Sequence, residues 1–455
     1  MESTANSSPY EDPLTRYFRN AKRNETQTVA NDAVFAVLHH RTGTTASYEA
    51  SSAGARKFAR DEKGTSPSIL FMRGHALPEW IDQIGLFGDF TGLFNRHLDS
   101  GSFGEPGEQF YSASSLPRPN DQIVSFMFST IRLVGSAPFN PEIPVNPKYL
   151  ERRREREDDA MRKFHQETLK KGQPGDSCVQ KFYSLSDSHF IIEQKITIQV
   201  KYVNDTWKAA VWLDHGEPLL DSHVKGPWSE QVAVYVPTIV ELWGNPVISP
   251  FISPSETMYS SSPPSSTPFD PVKIGQAIRQ LPFQYGTQLD KDLAKNCPVY
   301  ALGELLHVFA SWESQFLNCI ERHVDRGASS IDNDVTRNSE FIIANLLFLK
   351  KILLRHESDL MDVLSFLVHH VDAGFFPVGH CCALRSQGTR SQGGTKRVLH
   401  TLIKDFEYLQ ATAKRLERRC MEEIDHVGLA LRIEALNESS YIQKLVDKAL
   451  DFFTI

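Results

Sequence analysis

Apolar residues near the C-terminus recur at alternating spacings of three and four residues. This is the spacing of the core positions of a coiled coil, and it continues over three heptads. The residues of this seam are Leu399, Leu402, Phe406, Leu409, Ala413, Leu416 and Cys420. The pattern predicts a stalk helix of about 40 residues, roughly 60 Å long, whose seam needs partner helices from its own chain or from other copies. The alternative interpretation is an ordinary globular bundle.

Two segments before the stalk carry apolar residues at the same helical spacing. They span residues 302–324 and 342–371, and each predicts an amphipathic helix. A Ser- and Pro-rich stretch precedes them and predicts a linker over residues 251–275. We therefore expect residues 276–455 to form a helical stalk region.

Patterns with a period of two predict β-structure in the first half of the chain. Residues 195–203 alternate strictly between apolar and polar, which is typical of a half-buried strand. A turn-forming Asn-Asp pair separates them from a second strand-like run over residues 207–213, so we expect an antiparallel hairpin. Residues 68–72 and 123–134 are also rich in strand-forming side chains. These runs together predict a mixed sheet.

The predicted α/β domain occupies residues 65–250. Within it, residues 148–171 carry charges of both signs with few apolar residues, which predicts a solvated charged helix. Residues 1–64 are rich in Ser, Thr, Ala and Asn around one short apolar island at 34–38, which predicts a flexible N-terminal arm. The predicted fold class is an α/β (α+β) domain with a mixed sheet, followed by a coiled-coil-like stalk of long helices.

Composition narrows the possible partners and location. A formal net charge of −7 and an isoelectric point near 6.2 provide no dominant basic surface, so we expect no nucleic-acid partner. The six cysteines show no regular spacing, which favours reduced thiols in the cytoplasm. No uninterrupted run of roughly 20 apolar residues occurs, and the N-terminus lacks the pattern of a secretory signal. The sequence therefore predicts a cytoplasmic protein without a membrane span of its own.

The densest group of potential metal ligands lies between the second amphipathic segment and the stalk. It contains His369, His370, His380, Cys381 and Cys382. Adjacent cysteines point apart, and adjacent histidines on a helix lie about 100° apart, so the group does not match the spacing of a zinc site. Core thiols and loop histidines are the favoured interpretation, and zinc is the alternative.

No short motif of a hydrolase, nucleotide-binding, zinc-protease or calcium-binding site occurs in the chain. His75 and His97 stand alone in the sequence, with no nearby nucleophile to pair with. We interpret both as structural residues and expect a non-enzymatic protein, with no catalytic residues and no cofactor assigned.

Three regions resemble the cytoplasmic part of fungal CorA-like transporters of magnesium and related divalent cations. The first runs from Ile69 to Leu98 and contains the segments ILFMRG, WIDQIG and FNRHL. The second is the predicted hairpin over residues 196–214, whose second strand ends in an aliphatic residue followed by Asp. The third is the stalk over residues 399–440, which closes with LNESS.

The resemblance implies a homopentamer in which an α/β domain feeds a stalk that becomes the first of two pore spans joined by a Gly-Met-Asn loop. This chain contains no Gly-Met-Asn, and it ends at Ile455, where the first span would begin. We therefore expect the cytoplasmic portion of a transporter without its pore, with Mg²⁺ as a possible ion but no ligand to name. A partner would place it at the cytosolic face of a membrane. The alternative is a stand-alone interaction or regulatory protein that assembles through its stalk, either with itself or with a full-length relative.

Overall fold

The computed structural model describes residues 34–40, 44–61, 66–98, 123–134, 147–186, 189–203, 206–219, 221–230, 233–235, 239–242, 245–248, 278, 281–286, 289–329, 335–372 and 390–453. The predicted linker at 251–275 lies outside these residues, as do the first 33 residues of the predicted arm. His380, Cys381 and Cys382 also lie outside them, so the zinc alternative stays a prediction.

The described strands form one large mixed sheet and one small hairpin. The strands are β1 (Val34–His40), β2 (Thr45–Glu49), β3 (Ser68–Arg73), β4 (Ile123–Val134), β5 (Lys181–Ser184), β6 (His189–Val203), β7 (Thr206–Leu213), β8 (Ala233–Tyr235), β9 (Ile239–Leu242) and β10 (Asn245–Ile248). The large sheet has the order β2-β1-β3-β7-β6-β4-β8, with β5 paired to β6, and β9 pairs with β10. β3 runs parallel to β7, whereas the other described pairs are antiparallel. The prediction of a mixed sheet is confirmed.

The helices lie on both sides of this sheet. They are α1 (Ser52–Asp61), α2 (Pro78–Gly88), α3 (Thr91–Leu98), α4 (Pro147–Lys171), α5 (Leu281–Gln284), α6 (Lys291–Asn296), α7 (Pro298–Ala301), α8 (Gly303–Ser329), α9 (Val335–Asp372) and α10 (Arg390–Phe453). The two amphipathic segments become α8 and α9, and the seam lies on α10, which has 64 residues. The prediction of long helices after the α/β domain is confirmed.

The folded domain begins earlier than the sequence predicted. β1 pairs with β3 in the interior of the sheet, and four of its side chains, Phe35 to Leu38, are completely buried. Phe58 of α1 is also buried and packs 5.5 Å from the ring of Trp80. The predicted arm is therefore wrong for residues 34–40 and 44–61. Local composition misled the prediction because a few large apolar side chains are enough to anchor a polar segment to a sheet.

α4 is the predicted charged helix, but it is only partly solvated. Met161 and Phe164 are buried against the sheet. Glu157 is also buried, and it accepts hydrogen bonds from the backbone N–H and the hydroxyl of Ser184, at 2.8 and 2.6 Å. Part of the charge pattern therefore serves to attach α4 to β5.

The two largest apolar cores lie on opposite faces of the sheet. On one face, α1, α2 and α3 bury an aromatic core that includes Trp80 and Trp212. On the other face, α8, α9 and α10 form a helical layer. The Phe126 ring of β4 stacks on Phe309 of α8 at 4.0 Å, and Phe309 contacts Phe406 of α10 at 5.7 Å. The sheet, α8 and α10 thus share one continuous core.

Candidate functional site

The predicted stalk seam is buried inside the chain's own helical layer. All seven seam residues are at most 6% exposed. Ion pairs on either side of the seam link α10 to its neighbours: Arg415 to Glu321 of α8 at 2.9 Å, and Lys350 of α9 to Glu417 at 3.4 Å. The chain therefore supplies the partner helices that the pattern required. In this arrangement another copy has no access to Leu399, Leu402, Phe406, Leu409, Ala413 and Leu416.

The register of these contacts shows where α10 leaves its neighbours. α8 runs parallel to α10, and it ends one turn beyond Asp325, which pairs with Arg419 at 2.6 Å. α9 runs antiparallel, and the pairing of Lys350 with Glu417 places its first residue, Val335, level with Arg432. Beyond that level no other described helix lies beside α10. Its last 20 or so residues extend a further 30 Å or so.

A second apolar stripe begins where α10 leaves the helical layer. Leu429, Ile433 and Leu436 are 57%, 51% and 69% exposed, and we call these three residues the outward stripe. At about 100° per residue, Leu429 lies about 200° around the helix from the buried seam residue Val427. The outward stripe therefore faces away from α8 and α9, which cannot cover it.

The side chains on this outward face of α10 change from polar to apolar along the helix. Between the seam's first residues and Val427 the face carries exposed polar groups such as Arg418 and Glu422. From Leu429 to Leu436 the face carries apolar residues, with a spacing of four and then three residues. A face that is solvated along the layer and apolar beyond it is typical of a helix whose free end meets a partner.

The histidine that seemed isolated in the sequence lies in a buried network. His97, near the end of α3, contacts Asp214 at 3.1 Å through Nε2 and Thr197 at 2.9 Å through Nδ1. Thr197 in turn contacts the hydroxyl of Ser125 at 2.9 Å. The indole of Trp212 stacks on the imidazole at 4.3 Å. This array links α3 to three strands of the sheet.

Burial sets the charge state of this array. It lowers the pKa of His97, even though Asp214 favours the charged imidazole. For Asp214, burial alone would raise the pKa, but hydrogen bonds from His97, the backbone N–H of Lys195 and the amide of Gln180 lower it. The pair is therefore a neutral imidazole that donates to a carboxylate. Ser125 and Thr197 are at most 9% exposed, so no substrate reaches these hydroxyls in the described fold.

The carboxyl ends of the parallel strands β3 and β7 are closed by backbone. In α/β proteins this edge is a common place for ligands. Here the 2.8 Å hydrogen bond from the N–H of His75 to the carbonyl of Asp176 holds a loop across it. Gly74 has a φ of +66°, and a Cβ there would lie 2.3 Å from the same carbonyl. A Cβ on Gly216 would lie 1.9 Å from the carbonyl of Gly175. The edge has no room for a ligand beside these glycines.

His215 lies beneath this closed edge and is fully buried. Neither of its ring nitrogens has a hydrogen-bond partner. Burial lowers its pKa to about 3, because desolvation and the positive charges of Arg73 and Arg132 outweigh the nearby Asp214. The ring is therefore neutral, and its edge contacts Phe128 at 5.4 Å. This residue costs folding free energy, since an unsatisfied buried N–H costs about 1–3 kcal/mol.

The described residues offer no metal centre and no bilayer-spanning helix. No group of three or more histidine, cysteine, aspartate or glutamate side chains within the described ranges is arranged to hold an ion. Across the same ranges, every helix is too short or too polar to cross a bilayer. No Mg²⁺ ligand can therefore be assigned to this part of the chain.

Comparison with known proteins assigns the chain to no family. No protein-family model matches it, and no curated protein matches it at a significant level. The CorA-like resemblance therefore remains a sequence-based expectation.

Sequence patterns located the stalk but missed the buried polar networks. His97 and Asp214 are 117 residues apart. Each lies in a segment that carries the CorA-like resemblance, FNRHL and the strand end at Leu213-Asp214, but no sequence pattern pairs the two side chains. The only local signal is that Asp214 directly follows a strand. The outward stripe was also missed, because it is short and lies on the opposite face from a stronger seam.

Proposed function

We propose that this chain is a non-enzymatic interaction protein that assembles with copies of itself through the free end of α10. The observation that carries the proposal is the outward stripe of Leu429, Ile433 and Leu436, which the chain's own helices cannot cover. Exposed apolar residues at helical spacing on a free helix are a recurrent mode of helix–helix docking.

A second copy fits this stripe better than an unrelated partner. The spacing of four and three residues is that of a coiled-coil seam, so two parallel copies bring each stripe residue against its equivalent. α9 lies on the opposite side of α10 and does not obstruct such a pairing. A helix end of about 20 residues without neighbours is also only marginally stable in water, so pairing stabilises it.

Solution mass measured by light scattering on the full chain tests this proposal. We expect a dimer or higher oligomer at micromolar concentration. The double substitution Leu429→Glu and Leu436→Glu should convert it to a monomer, because a buried unpaired carboxylate opposes each contact. Tyr408→Glu is the matched control, since Tyr408 is 67% exposed on α10 but lies level with the helical layer. A wild-type chain that stays monomeric at high concentration contradicts the proposal.

A second candidate is the cytoplasmic portion of a CorA-like magnesium or divalent-cation transporter. The order of elements favours it, since a mixed-sheet domain is followed by one long helix that extends beyond its own layer. In that case the partner is another copy or a full-length relative, and the chain lies at the cytosolic face of a membrane.

Magnesium distinguishes the two candidates. If the chain belongs to such a transporter, millimolar Mg²⁺ should change its oligomeric mass or raise its melting temperature, relative to NaCl of equal ionic strength. An oligomer that is indifferent to Mg²⁺ supports self-assembly alone and contradicts the transporter candidate.

A further inference from the structure

α9 contacts the sheet through charged side chains as well as through Phe348, whose ring lies 5.6 Å from that of Tyr183 on β5. Arg355, His356 and Asp359 share one face of the helix, at spacings of one and three residues. Asp359 accepts a 2.9 Å hydrogen bond from the backbone N–H of Met127 in β4. α8, in contrast, docks on the same strand through rings such as Phe309. The contact of α8 with β4 is thus largely apolar, whereas the contact of α9 with the sheet includes charged groups as well.

His356 is the centre of the charged contact. Its Nδ1 lies 2.8 Å from Oε1 of Glu313 on α8, and its Nε2 lies 3.4 Å from Oε1 of Glu193 on β6. The ring stacks on Phe316 at 4.2 Å, and it is 1% exposed. One imidazole therefore joins α8, α9 and the sheet.

The two glutamates keep this imidazole charged. Burial alone would lower the pKa of His356, but Glu313 and Glu193 outweigh it and raise the pKa to about 9. Burial would likewise raise the pKa of Glu193, but Arg355 and His356 hold it well below its usual range. Glu193 is also bound by Arg355 and by the hydroxyl of Tyr183.

α9 also carries most of the packing against α10. The seam residues of α10 share a core with Leu346, Leu349 and Leu353 of α9. An ion pair between Lys414 and Glu357, at 3.4 Å, reinforces this contact. A change in the attachment of α9 to the sheet therefore acts directly on α10.

We propose that His356, Glu193 and Glu313 form a charge-dependent latch through which α9 couples the sheet to α10. A charged imidazole satisfies both glutamates at once. A neutral imidazole has one N–H, so one glutamate loses its hydrogen bond and the two carboxylates repel each other. α9 then separates from β4 and β6, whereas α8 stays docked through its apolar contacts. This coupling does not depend on self-assembly.

The latch is surrounded by other titratable groups from every neighbouring element. The groups that face it are Glu193 on β6, Glu313 on α8, Arg355 and Asp359 on α9, and Lys181 and Tyr183 on β5. Burial raises the pKa of Asp359 to about 6, so it titrates well below the release of His356. Burial raises the pKa of Tyr183 well above its usual value, which keeps its hydroxyl protonated in the same range.

Hydrogen exchange of the full chain between pH 7 and pH 9.5, corrected for intrinsic rates, tests the latch. We expect peptides of β4 around Met127 and of α9 around His356 to lose protection at high pH. Their loss should exceed that of α8 around Phe309 by at least about tenfold, the factor for one unit of pKa difference. Equal loss in α8 and α9, or no loss in either, overturns the proposal.

Two substitutions separate the latch from general destabilisation. Glu313→Gln removes one of the charges that stabilise the imidazolium. The pH at which α9 loses protection should therefore fall by about one unit or more. Glu321→Gln, on the same helix and in an exposed pair with Arg415, is the matched control and should leave the release unchanged. An unchanged release in Glu313→Gln overturns the proposal.

His356→Gln gives an independent check. Glutamine does not titrate, so the exchange of α9 in this variant should be constant between pH 7 and pH 9.5. Release of α9 with rising pH in this variant overturns the proposal. If a variant fails to fold, the comparison of hydrogen exchange in α8 and α9 of the wild-type chain still tests the latch.

Discussion

Two buried histidines on opposite sides of the sheet show how different partners reverse the charge state of one side chain. His97 lies beside a single carboxylate and is neutral, because that carboxylate is already bound by other donors and burial dominates. His356 lies between two glutamates and is charged, because together they outweigh burial. Equal burial thus produces a neutral structural hydrogen bond in one region and a charged contact between layers in the other.

The difference also has opposite consequences for stability. His215, like His97, has a lowered pKa, so folding favours its neutral form and the free energy of unfolding falls as the pH drops below about 6.5. His356 has a raised pKa, so its contribution is present below about 6.5 and is lost as the pH rises toward 9. Histidines with a lowered pKa and the histidine with a raised pKa therefore limit the stable pH range from opposite ends.

Removal of the carboxylate beside His97 should have the largest effect. Asp214→Ala leaves the N–H of Lys195, the amide of Gln180 and the imidazole of His97 without their buried acceptor. We expect a loss of about 3–5 kcal/mol in the free energy of unfolding, measured by urea denaturation. Asp221→Ala, at an exposed position, should change it by less than about 0.5 kcal/mol. A loss below about 1 kcal/mol for Asp214→Ala would show that the network contributes little.

A substitution at the closed edge of β3 and β7 should have the second-largest effect on stability. Gly74→Ala forces a Cβ against the carbonyl of Asp176 at a positive φ, and we expect it to cost about 2 kcal/mol or more. Gly85→Ala is the matched control, since a Cβ there meets nothing within 4 Å inside a helix. It should stabilise the chain by about 0.5–1 kcal/mol. Similar melting temperatures for the two variants would argue against a tightly closed edge.

The next largest effect should be the change of the free energy of unfolding with pH, to which each titrating histidine contributes. Between about pH 6.5 and 4, the wild-type chain should lose about 1.4 kcal/mol per pH unit through His215 alone. His215→Phe removes this proton uptake, so its unfolding free energy should fall less steeply over the same range. Parallel curves for the two proteins would place the acid sensitivity elsewhere, for example at His323, whose pKa burial also lowers to about 3.

The smallest effect should come from an exposed ion pair on the seam's flank. Arg415→Ala removes a contact to Glu321 between side chains that are 54% and 31% exposed. We expect a loss of about 0.2–1 kcal/mol that disappears in high salt, measured by thermal unfolding at two ionic strengths. A larger loss independent of salt would mean that the aliphatic part of Arg415 packs on α8.

Much of the fold was predictable because its signals are local. Alternation over β6 and the seam of α10 each depend on one uninterrupted segment, and both elements form where predicted. β1 and α1 were missed because their burial depends on rings from distant segments, such as Trp80 and Trp212. The boundary of a domain is set by such contacts and has no local signature.

For the candidate sites, too, the sequence predicted the local pattern but not the contacts between distant segments. The spacing from Leu399 to Leu416 predicted a helix–helix contact, but the sequence left open which helices would cover it. Only the antiparallel placement of α9 and the parallel placement of α8 decided that the chain covers its own seam. The same placement left the outward stripe free, since it lies on the far side of α10.

The sequence by itself determined the periodicity of the helices and strands, the absence of a dominant basic surface, and a helical region after an α/β domain. These properties follow from residue spacing and composition along one segment at a time. Only the tertiary structure decided which buried groups are charged, because the pKa of His97 or His356 depends on side chains more than 40 residues away. It also decided at which residue α10 extends beyond the helical layer, because that residue is set by the ends of α8 and α9.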